Sequence, residues 1–306
     1  MEIQKMGKLA NGSAVQTYYV EEVAGAIPAT PAWKPIRFVS AGLTPTINQI
    51  ETAEMNQSRQ RPPSRGGTYS VAGDIAVELS FKSFDDLIQA AMQSTWDANA
   101  LVIGKVERSF AILERHTDIG VDYVYHGCRV GTMAINSPLN APVGVTFSML
   151  GTKAEKFTLP AGSTFVPATG TDIMVTTNLD LIEGGVPVAY ATEWSVNLNN
   201  GMEALFALGS REAYDISNGV AVVTGSMSAY LVDAVLWDKV LNETSTSHKI
   251  VFTEGADSYT LELPKVRYTQ GQKQVSGPGA IIPQYTVSAG YDDAAGTTMK
   301  ITRSGV

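Results

Sequence analysis

One pattern laid down twice, once in each half of the chain, constrains the fold more than any single motif. In the first copy Val71, Gly73, Ile75, Val77, Leu79 and Phe81 alternate with Ala72, Asp74, Ala76, Glu78 and Ser80, and a helix follows from Ser83. Period-2 alternation of this kind marks a strand with one buried face. In the second copy, residues 219–230 again read as a strand and a helix follows from near Asp233. The offset is roughly 140 residues, about half the chain. Three later blocks recur in the same order: residues 109–113 with 248–252, 123–135 with 259–275, and 145–148 with 285–288.

A duplicated pattern in 306 residues predicts two cores rather than one. Charged residues are only 17% of the chain against roughly a quarter in ordinary soluble domains, which leaves surface for contacts with other chains. The formal net charge of −8 argues against a clamp for nucleic-acid backbones, because such binding needs clustered cations. It is compatible with letting DNA pass without sticking. The single cysteine, Cys128, excludes an intrachain disulfide and sits in a strand-like stretch, where a buried small residue is expected. No apolar run reaches the ~18–20 residues of a membrane span, and the N-terminus lacks the apolar core of a signal peptide. Manufacture and use without the secretion pathway, and without membrane insertion, is the expectation.

Residues 1–30 read as an N-terminal arm able to stay mobile until another surface orders it. A first module is expected over 31–170, beginning with a strand near Trp33 and including a long polar loop at 44–67. Ser83 and Asp86 are spaced as a capping box, and Phe84, Leu87, Ile88, Ala91 and Met92 line one helical face with Asp85, Asp86 and Gln89 turned away from it. Residues 159–172 read as a linker to a second module over 171–306. There Asn200 and Glu203 suggest a capping pair for a short helix carrying Leu205, Phe206 and Leu208, and Asp233 suggests a cap for a helix with the stripe Leu236, Trp237, Val240 and Leu241.

Sites for chemistry are not found. His116, His126 and His248 lack metal-ligand spacing, Asp85 and Asp86 suit a helix N-terminus, and there is no Walker loop, dinucleotide fingerprint or nucleophile elbow. No catalytic, cofactor-binding or metal-binding residue is assigned. Arg59, Arg61 and Arg65, with Glu51 and Glu54 before them, form the one compact charged passage; it reads as an interchain loop that gives register and specificity to a contact.

Several of these blocks together resemble the tail tube proteins, or major tail proteins, of long non-contractile-tailed bacteriophages. They are residues 33–38 (Trp-Lys-Pro-Ile-Arg-Phe), the passage from Glu51 and Glu54 to Arg59 and Gln60, residues 73–80 and 84–91, and 224–226 leading to 237–239. The resemblance spans most of 31–306. It implies a mostly β fold of tandem β-sandwich or curved antiparallel sheet modules, each with a flanking short helix, that complete an intermolecular β-barrel on assembly. It implies a virion subunit, made and assembled in the bacterial cytoplasm, that stacks as rings around a tape measure protein. Its other partners would be tail tip and tail terminator proteins, with double-stranded DNA passing without specific binding. Two modules per chain favour a trimeric ring with pseudo-sixfold symmetry over a hexameric one. The 44–67 loop becomes the candidate inter-ring contact through Glu51, Glu54, Arg59, Arg61 and Arg65. The helices would pack on the sheets through Phe84, Leu87, Ile88, Leu236, Trp237 and Leu241. A head–tail joining or other self-assembling β-rich virion component is the main alternative; a carbohydrate-active β-sandwich would need a partnered carboxylate that Glu78 and Glu193 do not offer.

Overall fold

The computed structural model describes residues 9–23, 25–55, 59–275 and 277–305. Residues 1–8 of the expected arm and 56–58 of the expected loop lie outside the described residues.

In the first half the strands are β1 (Val15–Glu21), β2 (Ala32–Pro35), β3 (Phe38–Ile50) and β4 (Arg65–Glu78). After helix α1 (Asp85–Ala91) come β5 (Ala100–Val102), β6 (Phe110–His116), β7 (Val121–Pro138), β8 (Gly144–Gly151), β9 (Lys153–Phe157) and β10 (Thr164–Phe165). The second half opens with β11 (Leu179–Glu183), β12 (Val186–Pro187), β13 (Ala191–Asn199), β14 (Glu203–Phe206), β15 (Ala213–Ser217) and β16 (Val222–Ala229). Helix α2 (Val235–Leu241) follows, then β17 (Thr246–Glu254), β18 (Asp257–Gln272), β19 (Gln284–Ala289) and β20 (Lys300–Ser304).

The two halves repeat one pairing scheme. β3 pairs with β4, β4 with β8, β8 with the C-terminal part of β7, and the N-terminal part of β7 with β6 and β9. The second half does the same with β13, β16, β19, β18, β17 and β20. β1 lies on β6 as β11 lies on β17. Each long strand, β7 or β18, therefore crosses from one layer of a sandwich to the other.

Irregularities repeat as well. The β3–β4 register shifts between Phe38 and Ser40, and the β13–β16 register shifts between Ala191 and Glu193. The β7–β8 register shifts between Val130 and Thr132, and its counterpart between Tyr268 and Gln270. A bulge bends a strand and fixes its register, so bulges at matching places are a strong marker of common geometry. Gly73 and Gly225 also correspond: a Cβ on the first would stand 1.9 Å from the Gly42 carbonyl oxygen, and on the second 2.4 Å from that of Ser195. Only glycine permits so close an approach of neighbouring backbones. Gly225 is the structural counterpart of Gly73. Both helices end alike, with Gln93 and Glu243 at positive φ just past Met92 and Asn242.

Several sequence expectations change. Val15–Glu21, inside the expected arm, pairs along its length with β6. Much of the expected 44–67 loop is the outer part of the β3–β4 hairpin. The helix expected around Leu205, Phe206 and Leu208 is instead a hairpin, β14 with β15. No side chain caps α1; Ser83 Oγ accepts from Ser80 Oγ at 2.6 Å, and Asp86 accepts from Tyr19 and Lys34. Asp85, expected on the solvent side, is buried against Tyr259 and Arg303 of the second half.

Candidate assembly surface

Eight strands form one continuous antiparallel run: β3, β4, β8, β7, β13, β16, β19 and β18. Alternation gives the run two faces. One carries Ile75, Val77, Phe147, Met133, Trp194, Val196, Met227 and Val287, all buried. Helix α1 is buried in the same core through Phe84, Leu87 and Ile88. Leu236 of α2 is buried and Trp237 half-buried, its ring 3.2 Å from where a Gly271 Cβ would stand, whereas Leu241 is exposed.

The opposite face is made of small, neutral polar side chains, among them Thr44, Thr146, Ser148, Asn197, Ser226 and Thr286. Its carboxylates are Asp74, Glu78 and Glu193. Its guanidinium groups stand at one end. Arg129 donates to Asp215 Oδ1 at 2.8 Å and to the Ile216 carbonyl at 2.5 Å, with Glu107 at 3.2 Å. Arg267, its counterpart, has no side-chain partner among the described residues.

The run has two margins. Among the described residues, β3 pairs only with β4, and the C-terminal part of β18 only with β19. Unpaired N–H and C=O rows of this kind template the addition of another strand. Inside the chain, the corresponding edges are joined: β7 and β13 pair from Thr132 opposite Asn199 to Pro138 opposite Glu193. This seam is reinforced. Asn200 Nδ2 donates to the carbonyls of Ala91 (2.9 Å) and Val130 (3.1 Å), Gln93 Nε2 donates to Asn218 Oδ1 at 3.0 Å, and β5 pairs with β20. Burial raises the Asp85 carboxyl above its ordinary value even against the Tyr259 hydroxyl and the Arg303 guanidinium.

The charged passage singled out in the sequence lies at the hairpin tip. Arg61 Nη1 meets Glu51 Oε1 at 2.5 Å, the Glu54 amide donates to Thr52 Oγ1 at 3.1 Å, Arg59 is exposed, and Arg65 opens β4 opposite Ile50. The sequence singled these residues out as one charged passage. It missed the two sheet margins, whose only signal was that β3 past Leu43 loses its apolar alternation.

The histidines differ by half. Burial holds His248 down at about 4, beside Tyr268 and Trp194. His126 is raised, chiefly by its hydrogen bond with Glu22, over the opposing effect of burial; burial also opposes ionisation of Glu22, yet His126 and the Gly127 amide hold that carboxyl below its ordinary value. Cys128 is buried and burial pushes its thiol upward. No group of three metal-ligating side chains occurs among the described residues, and no helix there is long and apolar enough to cross a membrane.

A family model described as phage tail tube protein matches residues 12–289. No curated protein matches the chain.

Proposed function

The chain belongs to the phage tail tube protein family, a structural component of the virion tail, and we propose that it polymerises into stacked rings that enclose a tape measure protein and later conduct the genome. The observation that carries this reading is the eight-strand run with an unpaired margin at each end. A run that closes on copies of itself removes both exposed edges at once and leaves a wall with one apolar and one polar side.

Two units per chain, dividing within residues 159–172, make three chains the favoured ring with pseudo-sixfold symmetry; six chains is the alternative. The polar face becomes the lumen. It offers passing DNA neutral side chains and the carboxylates of Asp74, Glu78 and Glu193, so the phosphate backbone meets few cations and slides. The hairpin tip with Glu51, Glu54, Arg59, Arg61 and Arg65 reaches a neighbouring ring. Tail tip and terminator proteins limit the stack at its ends, and assembly takes place in the host cytoplasm. Electron microscopy of the purified chain tests the reading. Long tubes with threefold end-on symmetry and two density lobes per chain are expected. Closed single rings that never stack would favour a joining component, and a protein that stays monomeric under every assembly condition would overturn the proposal.

A further inference from the structure

We propose that the β7–β13 seam inside the chain is the template for the contact between chains: residues 41–46 of one copy pair antiparallel with residues 270–275 of the next. Ala41 lies opposite Val275, Thr44 opposite Gln272, and Thr46 opposite Gln270. This rests on the ring reading above and adds to it the segments, the register and the side chains that seal the contact.

The register follows from the repeated bulges. Ser40 and Glu193 are the first paired residues after matching bulges, so Thr44 corresponds to Asn197. Thr132 and Gln270 are likewise first after matching bulges, so Gln272 corresponds to Ala134. Asn197 lies opposite Ala134 in the internal seam. Carrying both correspondences across puts Thr44 opposite Gln272, with both side chains on the polar face. β7 continues in strand form to Pro138 where β13 accompanies it, whereas β18 leaves strand geometry after Gln272, where it has no companion on that side.

Three exposed apolar side chains agree independently. Ile47 (48% exposed), Val235 (52%) and Leu241 (65%) occupy the places of Asn200, Asp85 and Ala91. All three counterparts are buried at the internal seam. In a ring, Ile47 of one copy reaches Leu241 of the next, as Asn200 reaches Ala91. Charge is complementary as well. Glu243 stands where Gln93 does, and Gln93 holds Asn218, whose counterpart Gly66 adjoins Arg65. Glu243 and Arg65 have no side-chain partner among the described residues, and Arg267 waits where Arg129 is already satisfied.

The test is disulfide trapping in the full chain. Assembled Thr44→Cys/Gln272→Cys protein, mildly oxidised, is expected to convert to covalent closed rings on non-reducing gels; Cys128, fully buried, does not compete. Thr44→Cys/Gln270→Cys, two residues out of register on the same face, is expected to trap at least tenfold less. Equal or better trapping by the second pair overturns the register while leaving the ring reading intact. Rings or tubes in which neither pair traps overturn the pairing of these margins. Absence of rings from the unmodified chain overturns the ring reading and this contact together. Should the cysteine variants not assemble, charge reversal decides: Arg65→Glu and Glu243→Arg are each expected to cut assembly severalfold and to restore it when combined. Failure to restore counts against the contact.

Discussion

The two extensions that leave the sheet run, residues 48–68 between β3 and β4 and residues 201–220 between β13 and β16, are nearly equal in length and start from matching places, yet they behave differently. The second folds down onto the first half of the chain. The Tyr69 amide donates to the Arg211 carbonyl at 2.8 Å, Arg129 grips Asp215, and Asn218 accepts from Gln93. The first is held at its base, where Arg211 Nε donates to the Gly67 carbonyl at 3.1 Å, and runs on from Ile47 to its charged tip as an exposed ribbon. The second extension has a preceding unit to receive it, and the first has none within its own chain. On the ring proposed above, the unit that would receive it belongs to another copy.

Substitutions at paired positions can break that comparison. The largest effect is expected from Trp194→Ala, which empties a fully buried site at the seam and should cost about 4 kcal/mol in denaturant unfolding. The mirrored change Ala41→Gly should cost the free chain about 1 kcal/mol or less. Acidification comes next. His248 is buried neutral with its value near 4 against an unfolded value of 6.5, so the unfolded chain binds the extra proton; stability is full above about 6.5 and falls as pH drops towards 4, by about 3 kcal/mol at most. His126 has the opposite sign: its raised value gives stability that is full below the unfolded value and lost as pH rises through the folded one. Denaturation midpoints against pH, with His248→Phe removing the acid-side loss, check this; an apolar side chain, Ile112, already fills the corresponding site in the first half.

Asn200→Ala should cost about 2–3 kcal/mol, because it leaves two buried carbonyls without their donor. Ile47→Ala, at the counterpart, should leave the thermal unfolding of the free chain within about 0.5 kcal/mol while weakening assembly. The smallest pair is Arg129→Ala, expected to cost about 1–2 kcal/mol, and Arg267→Ala, expected to be neutral in the free chain. A free chain equally sensitive at both arginines would erase the difference between the two extensions.

Much of the duplication was legible because order and alternation survive where residue identity does not. The block matched as 145–148 with 285–288 is two residues out of the structural correspondence, in which Thr146 and Gln284 agree, because bulges shift register without disturbing alternation. The hairpin of β3 and β4 looked like a loop since a ribbon solvated on both sides has no apolar face to show. Leu205 and Phe206 suggested a helix, but such short apolar runs do not separate helix from strand, and pairing with β15 decided the matter. Asp85 was misplaced for a different reason: periodicity within one element cannot reveal that its polar side meets Arg303 from the far half of the chain. Nor could it foresee that Leu241 would stay bare at the end of α2.

Residues 92–109 of the first half, which carry β5 onto β20, have only residues 242–245 as their equivalent in the second. A wall built from these chains would thus alternate braced and unbraced joints. Under bending or internal pressure it would split along the unbraced ones, and each chain would come away as an unbroken stave.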